Sequence, residues 1–423
     1  MRATLLAPGS RGDVQPYVAL GQALAALGHT CTIVTTLDHE QLVQSHGLDV
    51  VSLPVNVAAE LAKVETNRAV EGGGVIASFR AFADIARRAS RALATQGLEA
   101  CRDADVVVTG FSAAVLGEAI AHKLGRPLVQ AYNVPVTATS SMPGALFPAL
   151  DLGPLSRRLG HALTRAALWQ TSRSSAAEAA REVLGAPSIP WLPTSSVGLV
   201  PGPLVYGLGE AFLPRPRDWA DDVEVTGFWL VAEAASYTPP PELSRFLDEG
   251  PAPVCVGFGS MSTEAPAAMS ELVVRAAAAS RTRLVLLSGW AGLEAERLSP
   301  DVLTLREAPH AWLYPRCRAV VHHGGAGTTA AAVCAGVPAV VVPFHGDQPF
   351  WASRVHALGL GPAPVPRRRL TAERLAAAIT EACEDPLMRE RCEAVGRASR
   401  AERGAERAAA WIVEQARRRS PDR

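Results

Sequence analysis

Lysine is almost missing from this chain: Lys63 and Lys123 are the only two in 423 residues. Neither sign of charge is in excess, since Lys+Arg and Asp+Glu both total 41. A chain with no basic field lacks the attraction on which nucleic-acid binding rests, although a local anion site stays open. Aromatic residues are scarce at 5%, and no run of about 18 apolar residues occurs, so a membrane-spanning helix is not expected. No two cysteines form a CxxC pair, and the seven, at 31, 101, 255, 317, 334, 383 and 392, are odd in number. Buried free thiols in a reducing cytosol are therefore expected in place of a disulfide framework. The N-terminal MRATLLAPGSRGDV holds only a short apolar run that meets a charged loop at once, which reads as a first strand and not a signal peptide.

What the chain does have is core-forming material: 48% hydrophobic residues against 19% charged ones, at a length that suits two domains. Arg in place of Lys, with abundant Ala, points to a GC-rich, bacterial genome. Short apolar runs at 3–7, 31–35, 50–53, 105–109 and 127–131 alternate with helical periods at 16–27 and 76–100. Strands without polar alternation imply a parallel sheet covered on both faces. Two further helices are read around 158–171 and 175–185, after an irregular stretch at 134–154. The rhythm repeats from Val254 onward, with strands at 254–258, 283–287, 302–305, 319–321 and 339–342. The proline-rich segment between the halves is the best linker. The expected division is a Rossmann-like domain at 1–212, a linker at 213–241, a second Rossmann-like domain at 242–400, and a C-terminal helix at 401–423 that packs back on the first domain. Two doubly wound α/β domains would then face each other across a cleft.

Four segments carry candidate chemistry. Val320-Val321-His322-His323-Gly324-Gly325-Ala326-Gly327-Thr328-Thr329 follows a strand and opens a helix. Its glycines let a ligand approach the backbone, the helix start offers N–H groups to an anion, and His323 can add one ring N–H. Neighbouring strand residues face opposite sides, so His323 and not His322 should reach a ligand. Gly257-Phe258-Gly259-Ser260-Met261 also ends a strand; Ser260 suits either a phosphate or a helix cap. Asp347 and Gln348, in Pro343-Phe344-His345-Gly346-Asp347-Gln348-Pro349, suit sugar hydroxyls, and Asp347 suits a cap equally. In Gly9-Ser10-Arg11-Gly12-Asp13-Val14-Gln15-Pro16, Asp13 stands just ahead of the expected helix start and reads as a cap or as a general base aimed into the cleft.

Taken together, GSRGDVQP, ALGQALAALGHTCTIVT, APHAWLYPRCRAVVHHGGAGTT and VPFHGDQPFWASRV resemble the nucleotide-sugar glycosyltransferases of the GT-B fold. The similarity is to the branch of sterol glucosyltransferases and of transferases that decorate glycopeptide, macrolide and other polyketide antibiotics. It spans both halves in order. The resemblance implies a diphosphate turn made by His323, Gly325, Ala326, Gly327 and Thr328, with Ser260 beside it. It implies that Asp347 and Gln348 hold the donor sugar, and that Trp290 and His310 lie near the base. Asp13 corresponds to the proposed base, with Ser10 adjacent; the chain has no His before His29, so the His–Asp dyad of plant-type relatives is not expected.

The implied reaction is inverting transfer of a hexose, from a UDP- or dTDP-sugar, to a hydroxyl of a small, largely apolar acceptor. No metal site and no cofactor are expected: the donor is a co-substrate, and His322-His323 lacks a partner at ligand spacing. A sugar-nucleotide epimerase of the same fold and a non-catalytic helper of another transferase are the rival readings. The irregular stretch 134–154 favours an acceptor pocket over the first, and the intact turn disfavours the second. A cytoplasmic setting is expected, with no nucleic-acid partner. Weak peripheral membrane contact would use the basic, amphipathic Arg80–Arg91, for which a solvated helix face is the plainer reading.

Overall fold

The computed structural model describes residues 1–56, 59–60, 75–186, 189–193, 195–231, 237–259, 266–289 and 299–419, the stretch 75–83 by its backbone alone. Two parallel sheets organise it. The first contains β1 (Arg2–Leu6), β2 (Thr30–Thr36), β3 (Asp49–Leu53), β4 (Val106–Thr109), β5 (Leu128–Tyr132), β6 (Leu204–Tyr206) and β7 (Val223–Val225), in the order β3-β2-β1-β4-β5-β6-β7. The second contains β8 (Val254–Gly257), β9 (Leu284–Leu287), β10 (Val302–Leu305), β11 (Ala319–His322) and β12 (Ala339–Val341), in the order β10-β9-β8-β11-β12.

Inner strands such as β4 and β9 are almost wholly apolar because both their faces are covered, whereas the edge strands β3 and β10 are mostly half-buried. Along β1 and β4, alternate residues enter different cores: Leu6 and Val107 belong to one, Leu5, Val106 and Val108 to the other. The second of these cores is roofed by α1 (Arg11–Ala26) and, from the far end of the chain, by Ala405, Ala408, Ala409, Ile412, Val413 and Ala416. On the opposite face α3 (Ala114–Leu124) packs on β4 and β5 and against α4 (Pro154–Leu184), on which α2 (Val75–Ala92) lies in turn. In the second lobe, α5 (Pro266–Ala279), α6 (Ala326–Ala335), α7 (Gln348–Ala357), α8 (Ala372–Glu384) and α9 (Pro386–Ala401) enclose the five-stranded sheet. The last helix, α10 (Gly404–Arg419), leaves that lobe and packs on α1.

Several boundaries differ from the sequence reading. The helix expected to begin at Pro16 begins at Arg11, so Asp13 lies in its first turn and not ahead of it. The two segments around 158–171 and 175–185 are one helix, α4, started by Pro154 and stopped by left-handed Gly185. The stretch 213–241 contains β7, a strand of three residues that extends the first sheet. All seven cysteines are buried and free. Among the described residues, no helix is long and apolar enough to cross a membrane.

The chain crosses between lobes at a tight point. Gly227 (φ 112°), just past β7, lies against Gly404 so closely that a Cβ on Gly404 would run into the Gly227 carbonyl. Arg403 takes a left-handed φ of 51° to turn α9 into α10. The Ala211 N–H donates to Glu402 Oε1 at 2.9 Å. Phe212 stacks on Trp351 (centroids 6.3 Å apart), and Arg354 Nε donates to the Phe212 carbonyl at 2.7 Å.

Candidate active site at the switch points of the two sheets

In each sheet the strand order reverses once: between β1 and β4 in the first, between β8 and β11 in the second. Loops at the carboxyl ends of such neighbours splay apart and leave a crevice, the usual ligand site of open α/β sheets. The Asp13 loop follows β1, Gly259 follows β8, and the His323 turn follows β11.

The two switch points face each other. α1 packs on α6, and Arg11 Nη1 lies 2.9 Å from Glu307 Oε2 of the other lobe. Pro16 of α1, Asn133 at the end of β5, Trp229, Ala326, Gly327 and Trp351 line one shared crevice.

On the first lobe the Asp13 loop is pinned carbonyl by carbonyl. Thr35 Oγ1 donates to Ala7 O at 3.0 Å, Ser112 Oγ donates to Pro8 O at 2.8 Å, and His39 Nε2 lies 3.1 Å from Gly9 O. Gly9 has φ 150°, and a Cβ there would sit 2.6 Å from Asp13 Oδ2. Asp13 Oδ2 accepts from the Ser10 N–H at 2.9 Å and from Ser10 Oγ at 2.8 Å. Pro16 has no N–H for the Gly12 carbonyl one turn back; Asn133 Nδ2 donates to it instead, at 3.3 Å. Burial raises the Asp13 carboxyl above its ordinary value, the two Ser10 bonds pull it down, and the charge of Asp347 across the crevice pushes it up again.

On the second lobe the glycines make room for one ring. A Cβ on Gly259 would come within 3.2 Å of His323 Cε1, and one on Gly325 within 2.5 Å of Nε2. His323 Nδ1 is buried with no hydrogen-bond partner among the described residues. Burial drives His323 down to about 4, so its imidazole is neutral at neutral pH and offers one N–H. His322 turns the other way: it is fully buried, and its Nδ1 accepts from the Gly324 N–H at 3.0 Å. Gly325 caps α6 with no side chain over the first turn, and a Cβ on Gly327 would meet nothing within 4 Å. Thr328 is half-buried in that turn, whereas Thr329 is buried beneath it.

Asp347 makes no side-chain cap bond to α7; its Oδ2 accepts from Trp351 Nε1 at 2.6 Å. Burial raises its carboxyl too, against that indole bond. Gln348 is 4% exposed, with Oε1 turned back to the N–H groups of Phe344 (2.8 Å) and His345 (3.1 Å). His310 stacks on Tyr314 at 4.5 Å and is pushed down to about 4 by burial, then by the charges of Arg11 and His323. Ser260 and Trp290 lie outside the described residues.

The sequence reading passed over Arg11, Glu307, His39, Asn133 and Trp351. Arg11 and Trp351 lay inside quoted motifs, but nothing in a motif says which way a side chain points across a cleft.

Comparison with known proteins agrees with this architecture. Residues 282–414 match the family model of the erythromycin biosynthesis protein CIII-like C-terminal domain, and residues 3–145 match that of the glycosyltransferase family 28 N-terminal domain. An O-mycaminosyltylonolide 6-deoxyallosyltransferase of Streptomyces fradiae is 35% identical, over 99% of each chain. A sterol 3-beta-glucosyltransferase of Arabidopsis thaliana is 32% identical over 91% of this chain, which spans 61% of that protein's length. Its counterpart in Pichia angusta is 32% identical over 98% of this chain, which spans only 33% of that protein's length. Among solved structures, the glycotransferase of kitacinnamycin superposes with a TM-score of 0.70 at 22% identity, covering 98% of both chains. The glycosyltransferase VinC, solved in complex with dTDP, gives 0.67 at 19% identity, covering 99% of this chain and 100% of that one. At these identities the structural likeness speaks for the fold.

Proposed function

We propose a reaction from one premise: this chain belongs to the glycosyltransferases of the GT-B fold, in the branch that holds sterol glucosyltransferases and macrolide glycosyltransferases. It transfers a hexose from a uridine or thymidine diphosphate sugar to a hydroxyl of a small, largely apolar acceptor, by one inverting displacement and without a metal. The observation that carries this reading is the juxtaposition of an acidic group and an anion cradle from opposite lobes, where α1 packs on α6 and Pro16, Ala326 and Gly327 line one crevice.

In the displacement, the acceptor oxygen forms its bond to the anomeric carbon as the bond from that carbon to the β-phosphate oxygen breaks. The electron pair leaves with the diphosphate. Asp13 takes the hydroxyl proton; its raised pKa makes it a stronger base than an ordinary carboxylate. The open first turn of α6, Thr328 and the neutral ring of His323 donate hydrogen bonds to the departing oxygens, which gain charge only as the bond breaks. Asp347, steadied by Trp351, accepts from a hydroxyl of the sugar. Nucleotide sugars and seven free thiols both suit a cytoplasmic setting.

Incubating the purified chain with UDP-glucose or a dTDP-sugar and a panel of hydroxylated apolar acceptors should give products heavier by one hexosyl unit. Asp13→Asn should lower turnover by about 10²-fold or more while nucleoside diphosphate still binds. Unchanged turnover would remove Asp13 from the base role. An isomerised sugar nucleotide from donor alone would move the reading to an epimerase.

A further inference from the structure

The peptide unit that leads into Asp13 is held at its two ends by different parts of the chain. Its N–H, that of Asp13, donates to the Ser10 carbonyl at 2.8 Å. Its carbonyl, that of Gly12, would ordinarily accept from the N–H of residue 16, one helical turn on. Residue 16 is proline, which has no N–H and whose ring crowds that carbonyl. Asn133 Nδ2 donates to the carbonyl in its place, at 3.3 Å, from the end of β5. Packing does not substitute for this bond. Gly12 is exposed, and a Cβ on it would meet, beyond its chain neighbours, only Ser10 Oγ at 3.7 Å.

Asn133 is a firm post for the purpose. The residues on either side of it, Tyr132 and Val134, are both buried, and Tyr132 Oη donates to Gln130 Oε1 at 2.8 Å. One turn past Asp13, Tyr17 Oη donates to the Ala131 carbonyl. α1 is thus tied to the end of β5 twice, once through a buried ring and once through Asn133 at the crevice. The bonds from Thr35, Ser112 and His39 act on the carbonyls of residues 7–9, ahead of Ser10. Asn133 acts on the residue that adjoins Asp13.

We propose that Asn133 is a positioning residue for the base: it replaces the helical hydrogen bond that Pro16 forgoes, and so fixes the direction in which the Asp13 carboxylate points. A catalytic group misplaced by about 1 Å can lose up to about 10² in rate, and the donor need not bind less well for it. This inference rests on the transferase reading above.

The test is a double-mutant cycle between Asn133 and Pro16, because Pro16→Ala restores the N–H that the Gly12 carbonyl lacks. With Pro16 in place, Asn133→Ala should lower kcat about fivefold to tenfold, the worth of one hydrogen bond, and leave the donor KM within about twofold. Asn133→Leu, similar in shape but without the donor, should match it. In the Pro16→Ala background, whatever that change does by itself, Asn133→Ala should cost less than about twofold. A second readout needs no turnover: the carboxyl-carbon NMR resonance of Asp13, identified by its loss in Asp13→Asn. It should titrate at higher pH in Asn133→Ala, because the Ser10 bonds that favour the ionised form loosen, and should not differ between the two Pro16→Ala chains. Equal losses of kcat in both backgrounds overturn the proposal, as the sign that Asn133 acts elsewhere, and so does wild-type kcat in Asn133→Ala. Either result leaves the transferase reading standing. A wild-type chain that transfers no sugar sinks that reading and the base role with it, while the titrations still show whether Asn133 holds Asp13.

Discussion

Gly327→Ala should make the protein more stable and less active at once. Gly327 is the second residue of α6, in ordinary helical backbone, and an added Cβ meets no protein atom within 4 Å. Replacing helical glycine with alanine gains at most about 1 kcal/mol, and near a helix end about half of that. For a chain of this size the gain raises the melting temperature by roughly 1–2 °C. The methyl group nonetheless projects into the crevice that Ala326 and Gly327 line. A phosphate oxygen accepting from the first-turn N–H groups sits about 2.9 Å from nitrogen, so the methyl would hold it off. Loss of one such donor in a transition state costs about 10²–10³ in rate. Thermal unfolding and kcat/KM with saturating acceptor, measured on the same preparation, check both halves. A variant that melts no lower than wild type but turns over about a hundredfold more slowly separates ligand crowding from damage to the fold. Wild-type kcat/KM and nucleoside diphosphate affinity in Gly327→Ala would refute the idea that this turn cradles an anion.

Two further outcomes follow from the same geometry. Both Ser10 bonds favour ionised Asp13, so Ser10→Ala, which removes the 2.8 Å hydroxyl bond, should raise its carboxyl further and move the acid limb of kcat/KM to higher pH. With a folded pKa above the unfolded one, ionising Asp13 costs stability; the part of the Ser10→Ala loss owed to Asp13 is full at neutral pH and fades as pH falls toward about 4. His310 and His323, both near 4, add no limb around pH 6.5, and a histidine-like limb there that vanishes in His323→Gln would contradict their burial. Ile412, fully buried where α10 meets the first lobe, should cost about 2–5 kcal/mol as Ile412→Ala. Hydrogen exchange should then quicken in β1 and β5 while β8–β12 keep their protection; equal loosening of both lobes would contradict the assignment of α10 to the first.

The βα rhythm was legible because buried parallel strands such as Val106–Thr109 have no polar alternation to confuse with a loop. β7 was not, since three residues amid prolines carry no periodicity and are held by their neighbour β6 alone. The helix α4 runs unbroken through Ser172, Ser174 and Ser175, middling helix formers, because Ser172, Ala176, Ala179 and Ala180 are buried there. Pro16 suggested a helix start, but the true cap is the Ser10–Asp13 exchange, and the carbonyl that Pro16 orphans is taken by Asn133, 121 residues away. The glycine turn and Asp347 were readable as types of chemistry. The contacts that give them a role, Asp347 to Trp351 and Arg11 to Glu307, depend on direction and on the other lobe.

Trp351 shows why the crossing between lobes belongs to the site and is more than a tether. Its face stacks on Phe212 of the first lobe, and its N–H holds the Asp347 carboxylate of the second. One turn on, Arg354 grips the Phe212 carbonyl, so α7 is tied to the crossing segment by both its ring and its backbone. The crossing itself has little freedom to slide, because Gly227 and Gly404 are in backbone contact and Glu402 secures Ala211. An indole that is 1% exposed is fixed by its packed surroundings, so the ring links the crossing segment to the Asp347 carboxylate. One buried ring thus holds both the crossing segment and the Asp347 carboxylate, while Arg11 and Glu307 make a separate contact between the lobes.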